Sequence, residues 1–154
     1  MTSLALTLWM LAAAQDPPPP PVPALVGDWD LNLHRTHYGP TVERRKKERF
    51  TCKESEGYLE CVIRSVRTDG RTLVGTFRAT PDGEVSPVVG IPGMTEVRLQ
   101  TGTPGVMSAT FSLRGIPVFA YRAYRSDDGR SLTIVSVDPA SGKALNSVVV
   151  YDRH

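Results

Sequence analysis

The sequence is poor in metal-binding side chains, with two cysteines and three histidines in 154 residues. His34 and His37 form an H-x-x-H pair, but on a strand residues three apart point to opposite faces. A zinc site needs three or four protein ligands, and the remaining histidine, His154, is the terminal residue. Charge of one sign is also lacking. Eighteen basic side chains face 16 acidic ones, so nothing global marks a nucleic-acid binder. No Gly-rich phosphate loop, G-x-S-x-G elbow, H-E-x-x-H or calcium loop is present. Asp28 and Asp30 are a same-side carboxylate pair that reads as a polar sheet face. With no nucleophile–base or metal set to assemble, the chain reads as no enzyme, and no cofactor is expected.

Long apolar runs are missing too. The uncharged apolar run Leu4–Ala14 covers 11 residues, while a membrane-spanning helix needs about 20. Its length is that of a signal-peptide h-region, and Ala12-Ala13-Ala14 supplies the small residues of a cleavage site. No Lys or Arg precedes the run, and no cysteine at the cleavage point offers a lipid anchor. The expectation is a signal peptide over residues 1–14, cleaved after Ala14, and a periplasmic or secreted mature chain without a transmembrane span. Residues 15–25 hold Pro17–Pro21 and Pro23. They read as a polyproline II spacer, with a single domain over residues 26–154.

What the rest of the chain has is alternation. In Asp28-Trp29-Asp30-Leu31-Asn32-Leu33 apolar and polar residues alternate strictly, which predicts a half-buried strand with Trp29, Leu31 and Leu33 on one face. Similar runs recur at Arg49–Glu54, Leu59–Val66, Leu73–Ala79, Val85–Val89, Glu96–Gln100, Val106–Leu113, Val118–Arg125, Leu132–Val137 and Leu145–Tyr151. Between them lie turn formers such as Glu56-Gly57, Asp69-Gly70, Pro92-Gly93 and Asp127-Asp128-Gly129. No stretch shows a capped helical period. The pattern predicts an all-β domain, an antiparallel up-and-down β-barrel of about 8–10 strands. Closing the sheet removes its edges.

Two cysteines in an exported chain point to a disulfide, and its register follows from the turn. If Glu56-Gly57 is a two-residue turn, Ser55 pairs with Tyr58 and Cys52 with Cys61. That places the cysteines at a non-hydrogen-bonded position, with Cα atoms about 4.5 Å apart. So short a loop gives a modest entropic gain, at most about 2–3 kcal/mol.

The block Gly27-Asp28-Trp29-Asp30-Leu31-Asn32 resembles a G-x-W-x-L-N pattern of small exported bacterial proteins. Pro87-Val88-Val89-Gly90-Ile91-Pro92 with Thr95-Glu96-Val97 is similar to that family's P-V-x-G-x-P and D-T-V segments. Asp128-Gly129-Arg130-Ser131-Leu132-Thr133-Ile134, Gly142-Lys143, Asn146 and Val149-Val150-Tyr151-Asp152 are similar to D-G-K-T-L-T-V, G-K, N and V-Y-D. The resemblance implies a lipocalin-like (calycin-type) barrel in a family of unassigned function. The chain departs from the pattern at its cysteine pair and at the basic run Arg44–Arg49.

Two functional readings follow. In the first, the barrel binds a small apolar ligand, with Trp29, Leu31, Leu33, Phe50, Phe77, Phe111, Phe119 and Tyr121 as candidate inward residues; a filled core explains the same residues. In the second, a basic 44–49 loop carrying Arg44, Arg45, Lys46, Lys47 and Arg49 engages an anionic surface or partner by charge. Residues 35–78 hold 11 Lys/Arg and six Asp/Glu, so the first part of the domain is locally basic. No aromatic residue interleaves the run to stack single-stranded bases, and no specific nucleic-acid partner is expected. Oligomeric state is left open.

Overall fold

A computed structural model describes Pro17 and residues 20–154. The leader read over residues 1–14 lies outside the described residues. Ten strands follow in chain order: β1 Gly27–Leu31, β2 Arg45–Ser55, β3 Tyr58–Arg67, β4 Thr72–Ala79, β5 Asp82–Val89, β6 Glu96–Thr101, β7 Val106–Leu113, β8 Ile116–Arg125, β9 Ser131–Val137 and β10 Ala144–Arg153. Each pairs antiparallel with the next, and β1 also pairs with β10, so the sheet closes into an up-and-down barrel. Every run of period-two alternation is a strand. Closure satisfies the edge groups that a sheet of this size would otherwise expose.

The β2–β3 hairpin has the expected register. Glu56 and Gly57 take φ of 52° and 81°, the two positive values that a type I′ turn requires. Ser55 then faces Tyr58, and Cys52 faces Cys61. The two cysteines are joined, with Cα atoms 4.1 Å apart, the short spacing of a non-hydrogen-bonded pair. Both are 1% exposed, so the bridge lies inside the barrel.

Two local expectations need correction. The first strand stops at Leu31, and Leu33 sits in a 3-10 turn, Leu33–Arg35, with 46% of its surface exposed. Asn32 ends the strand by accepting the Arg35 backbone N–H on its side chain at 3.2 Å. An Asn is a good cap for such a turn, and this local bond overrides the alternation. Leu33 is therefore no inward residue. The second correction concerns residues 44–49. All but Arg44 lie in a strand, because β2 begins at Arg45 and pairs with β3 from Arg45 onward, through a bulge before Lys47.

The alternating course of the strands gives the barrel two distinct ends. The β2–β3, β4–β5, β6–β7 and β8–β9 turns share one end with the start of β1. Ala24 and Leu25, the last residues of the stretch read as spacer, are buried there, at 1% and 0% exposure. The Trp29 indole N–H donates to the Leu25 carbonyl at 3.0 Å. Arg125 donates to the Val26 carbonyl, and the Arg125 and Arg153 guanidiniums lie 5.4 and 5.7 Å from the Trp29 ring. This end is closed, and the core behind it, with Leu59, Leu99, Met107 and Leu132, is filled. The opposite end carries the β3–β4, β5–β6, β7–β8 and β9–β10 connections and the segment leading into β2.

Candidate functional site: a cavity in the open half of the barrel

Above the filled core lies a cavity of about 390 Å³. That is near the lower bound of sites for single small molecules, about 300–1,000 Å³. Its mouth is framed by Thr41–Glu43 before β2 and Ile91–Met94 between β5 and β6. Four of the eight candidate inward residues line it: Phe50, Phe111, Phe119 and Tyr121. Phe111 stacks at 6.2 Å from Phe119 and 6.0 Å from Tyr121, forming an aromatic wall. Phe77 meets Phe111 edge-on at 5.9 Å and belongs to the buried core cluster, as does Trp29. Leu31 packs against that core half-buried. Filled core and cavity thus coexist, one at each end of the barrel.

The opposing wall is polar. Glu48, 4% exposed, accepts hydrogen bonds from Arg45 at 2.7 Å, from Tyr151 at 2.5 Å and from Ser65. Arg45, Glu48, Ser65 and Tyr151 all line the cavity, together with Ser136 and Tyr121. A carboxylate held by three donors can stay buried because its lone pairs are occupied and its charge is matched. Burial alone would weaken Arg45's hold on its proton; Glu48, then Tyr151 and Tyr38, more than offset it, and its pKa is raised. Burial, reinforced by Glu48, lifts the Tyr151 phenol well above its ordinary range. Burial raises Tyr121 as well. Both tyrosines therefore remain neutral donors at ordinary pH.

This set corrects the reading of the basic run. Arg45 faces into the barrel and is paired, so it is no part of a surface patch. Arg49 faces outward but is bound to Asp30 at 2.8 and 3.0 Å, with His154 also 2.8 Å from the same carboxylate. Arg44, Lys46 and Lys47 are exposed and make no ion pair among the described residues. Asp28 and Asp30 do project to the outside, away from the cavity.

The polar wall was missed because residues 44–49 hold no apolar residue to carry a period. One signal was available. Counting back in twos from Cys52 and Phe50 puts Glu48 on the inward face. Tyr151 likewise follows Val149 on the inward face of β10.

Arg45 has five N–H donors. Among the described residues its recorded partners are Glu48 and, at 3.5 Å, the Tyr151 hydroxyl, both through one nitrogen. The Tyr121 hydroxyl has no hydrogen-bond partner among the described residues. The cavity therefore presents unspent donors, Arg45 on the polar wall and the Tyr121 hydroxyl on the aromatic one, within otherwise aromatic and aliphatic surface. Compared with protein-family models, curated proteins and solved structures, the chain shows no match.

Proposed function

We propose that this protein is an exported binding protein of the lipocalin-like (calycin-type) class that holds one small amphiphile in the open half of its barrel. The observation that carries the reading is the cavity of about 390 Å³ between the Phe111–Phe119–Tyr121 wall and the Arg45–Glu48–Tyr151 set. Apolar lining with a few converging polar groups is the usual make-up of a small-molecule site. The internal disulfide suits an oxidising compartment, which supports the reading of residues 1–14 as a leader.

Charge balance narrows the ligand. Arg45 and Glu48 already neutralise one another, so a ligand carboxylate would add an unmatched buried charge at high cost. A neutral head with an acceptor oxygen, such as a ketone, ester or alcohol, meets the free Arg45 and Tyr121 donors without that cost.

Native mass spectrometry of protein from its own host tests the reading directly. The expected result is a stoichiometric, extractable apolar adduct. A displacement assay with an apolar fluorophore should rank a long-chain alcohol or methyl ester above the matching carboxylate. Replacing Ile63 with Trp should abolish uptake while the fold is kept. Empty spectra together with no saturable probe binding would exclude the cavity as a site. Preference for the carboxylate would exclude the neutral head alone.

A further inference from the structure

We infer that the open end of the barrel docks on an anionic phospholipid bilayer, with the cavity mouth turned toward the lipid. Exposed apolar side chains gather at this end. Ile116 is 69% exposed and Val89 66%, with Val118, Val74 and Leu113 between 39% and 45%. Leu113 and Ile116 face each other across the tip of the β7–β8 hairpin. Val89 ends β5, and Val74 lies on the neighbouring β4. With the Ile91-Pro92 lip between β5 and β6, they form one arc of the rim from β4 to β8. Large exposed apolar groups in one place mark an interaction surface.

Charge identifies the occupant. Arg44, just before β2, and Lys46 and Lys47, at its start, stand at the same end, and Arg114 sits at the tip of the apolar hairpin. All four are exposed and outside any ion pair among the described residues. Of the other charges there, Arg67 pairs with Glu43 and Arg71 with Asp69, while Lys143 adds an exposed cation and Glu96 and Asp138 are carboxylates outside any ion pair among the described residues. The closed end carries more acid than base, although Lys53, Arg130 and Arg153 are exposed there too and Arg78 lies near Glu56. Its turns expose Glu56, Asp82, Glu84, Asp127 and Asp128. An anionic surface therefore favours the open end over the closed one, which turns the mouth toward it. Apolar tips between cations are what a lipid interface accepts. The docking stands on the rim alone; its use for loading a ligand rests on the cavity reading.

The test is vesicle flotation of the chain as its host exports it, on phosphatidylcholine with and without phosphatidylglycerol. Binding is expected only with the anionic lipid, weakening as salt rises. Each cation near such a surface contributes about 1 kcal/mol, about fivefold, so replacing Arg44, Lys46 and Lys47 with Ser should lower partitioning on the order of a hundredfold. Ile116→Trp should shift its emission to the blue on vesicles, and Thr103→Trp in the β6–β7 turn should not. Equal binding to both lipids, or an equal shift at Thr103, overturns the proposal. So does a dimer, seen by sedimentation, that Ile116→Ser dissolves while vesicles stay unbound; the rim would then be covered by a second copy. The Ile63→Trp variant separates the two readings, because it should lose the fluorophore and keep the vesicles.

Discussion

Glu48 and Tyr151 lie 103 residues apart in sequence, and their side chains meet at 2.5 Å inside the barrel. Glu48 also binds Arg45 at 2.7 Å, so one carboxylate ties β2 to the last strand and holds a cation inside. Removing it leaves Arg45 partly buried and unpaired. We expect Glu48→Ala to cost about 3–5 kcal/mol, read as a lower urea midpoint at unchanged slope. Replacing the pair together, Arg45→Met with Glu48→Leu, should recover most of that loss, since no charge is then stranded. A double variant as unstable as the sum of its singles would show that the two residues act independently.

The disulfide lies within the core, and that changes what it should do. Its sulfurs belong to residues that are 1% exposed, so a water-borne reductant reaches them only when the hairpin opens. We expect thiol trapping followed by mass spectrometry to find no free thiol in the native protein under mild reductant, and two after denaturant is added. Replacing both cysteines with Ala should cost about 2–3 kcal/mol for a loop this short. Reduction at the same rate with and without denaturant would contradict the buried placement.

Most of the barrel was legible because its signals are local. Alternation places each strand, and the Glu56-Gly57 turn alone sets Cys52 opposite Cys61. The candidate site was legible in half. Phe50, Phe111, Phe119 and Tyr121 alternate like any inward residue, but nothing local separates a residue on a cavity from one in a filled core. Phe77 and Phe111 have the same signature, and only the depth of each in the closed barrel assigns them. The polar wall was hidden for another reason. Arg45 and Glu48 have the composition of a surface run, and they become internal only because Ser65, opposite Glu48 on β3, and Tyr151, from the last strand, satisfy them. Leu33 failed in the reverse sense, through an Asn32 cap that outweighs its hydrophobicity.

Asp30 offers a pH test with a defined sign. The hydrogen bond from Arg49 is the main cause that holds its carboxyl below the ordinary value of 3.8; burial opposes it, and His154 adds to the lowering. A carboxyl depressed in the folded state contributes stability above its unfolded value of about 4, and that contribution is lost as pH falls through the folded value. Asp30 and Arg49 side chains are 38% and 41% exposed, so solvent screening keeps the gain small. The titration itself is the better readout. By carboxyl-carbon NMR the Asp30 midpoint should lie below 3.8 and rise on Arg49→Gln. A midpoint indifferent to that change would remove Arg49 as the cause.

Gly75 controls the lip of the cavity. A Cβ at this position would stand 2.4 Å from Cγ1 and 2.8 Å from Cδ1 of Ile91, closer than carbon atoms can approach. Glycine on β4 is thus what lets Ile91 fold down from the β5–β6 connection onto the mouth. Gly75→Ala should push Ile91 outward at a cost of about 1–3 kcal/mol, the usual range for overpacking. It should also weaken uptake of an apolar fluorophore, because the lip loses its seat. Ile91→Ala alone should weaken uptake while leaving Gly75 unstrained. Combining the two removes the clash, so the double variant should be more stable than the sum of the single changes implies. Denaturation and probe titration on the four proteins of this cycle check both parts. Strict additivity in stability would mean that Ile91 does not rest on Gly75, and the lip would have to be held by Met94 and Pro92 instead.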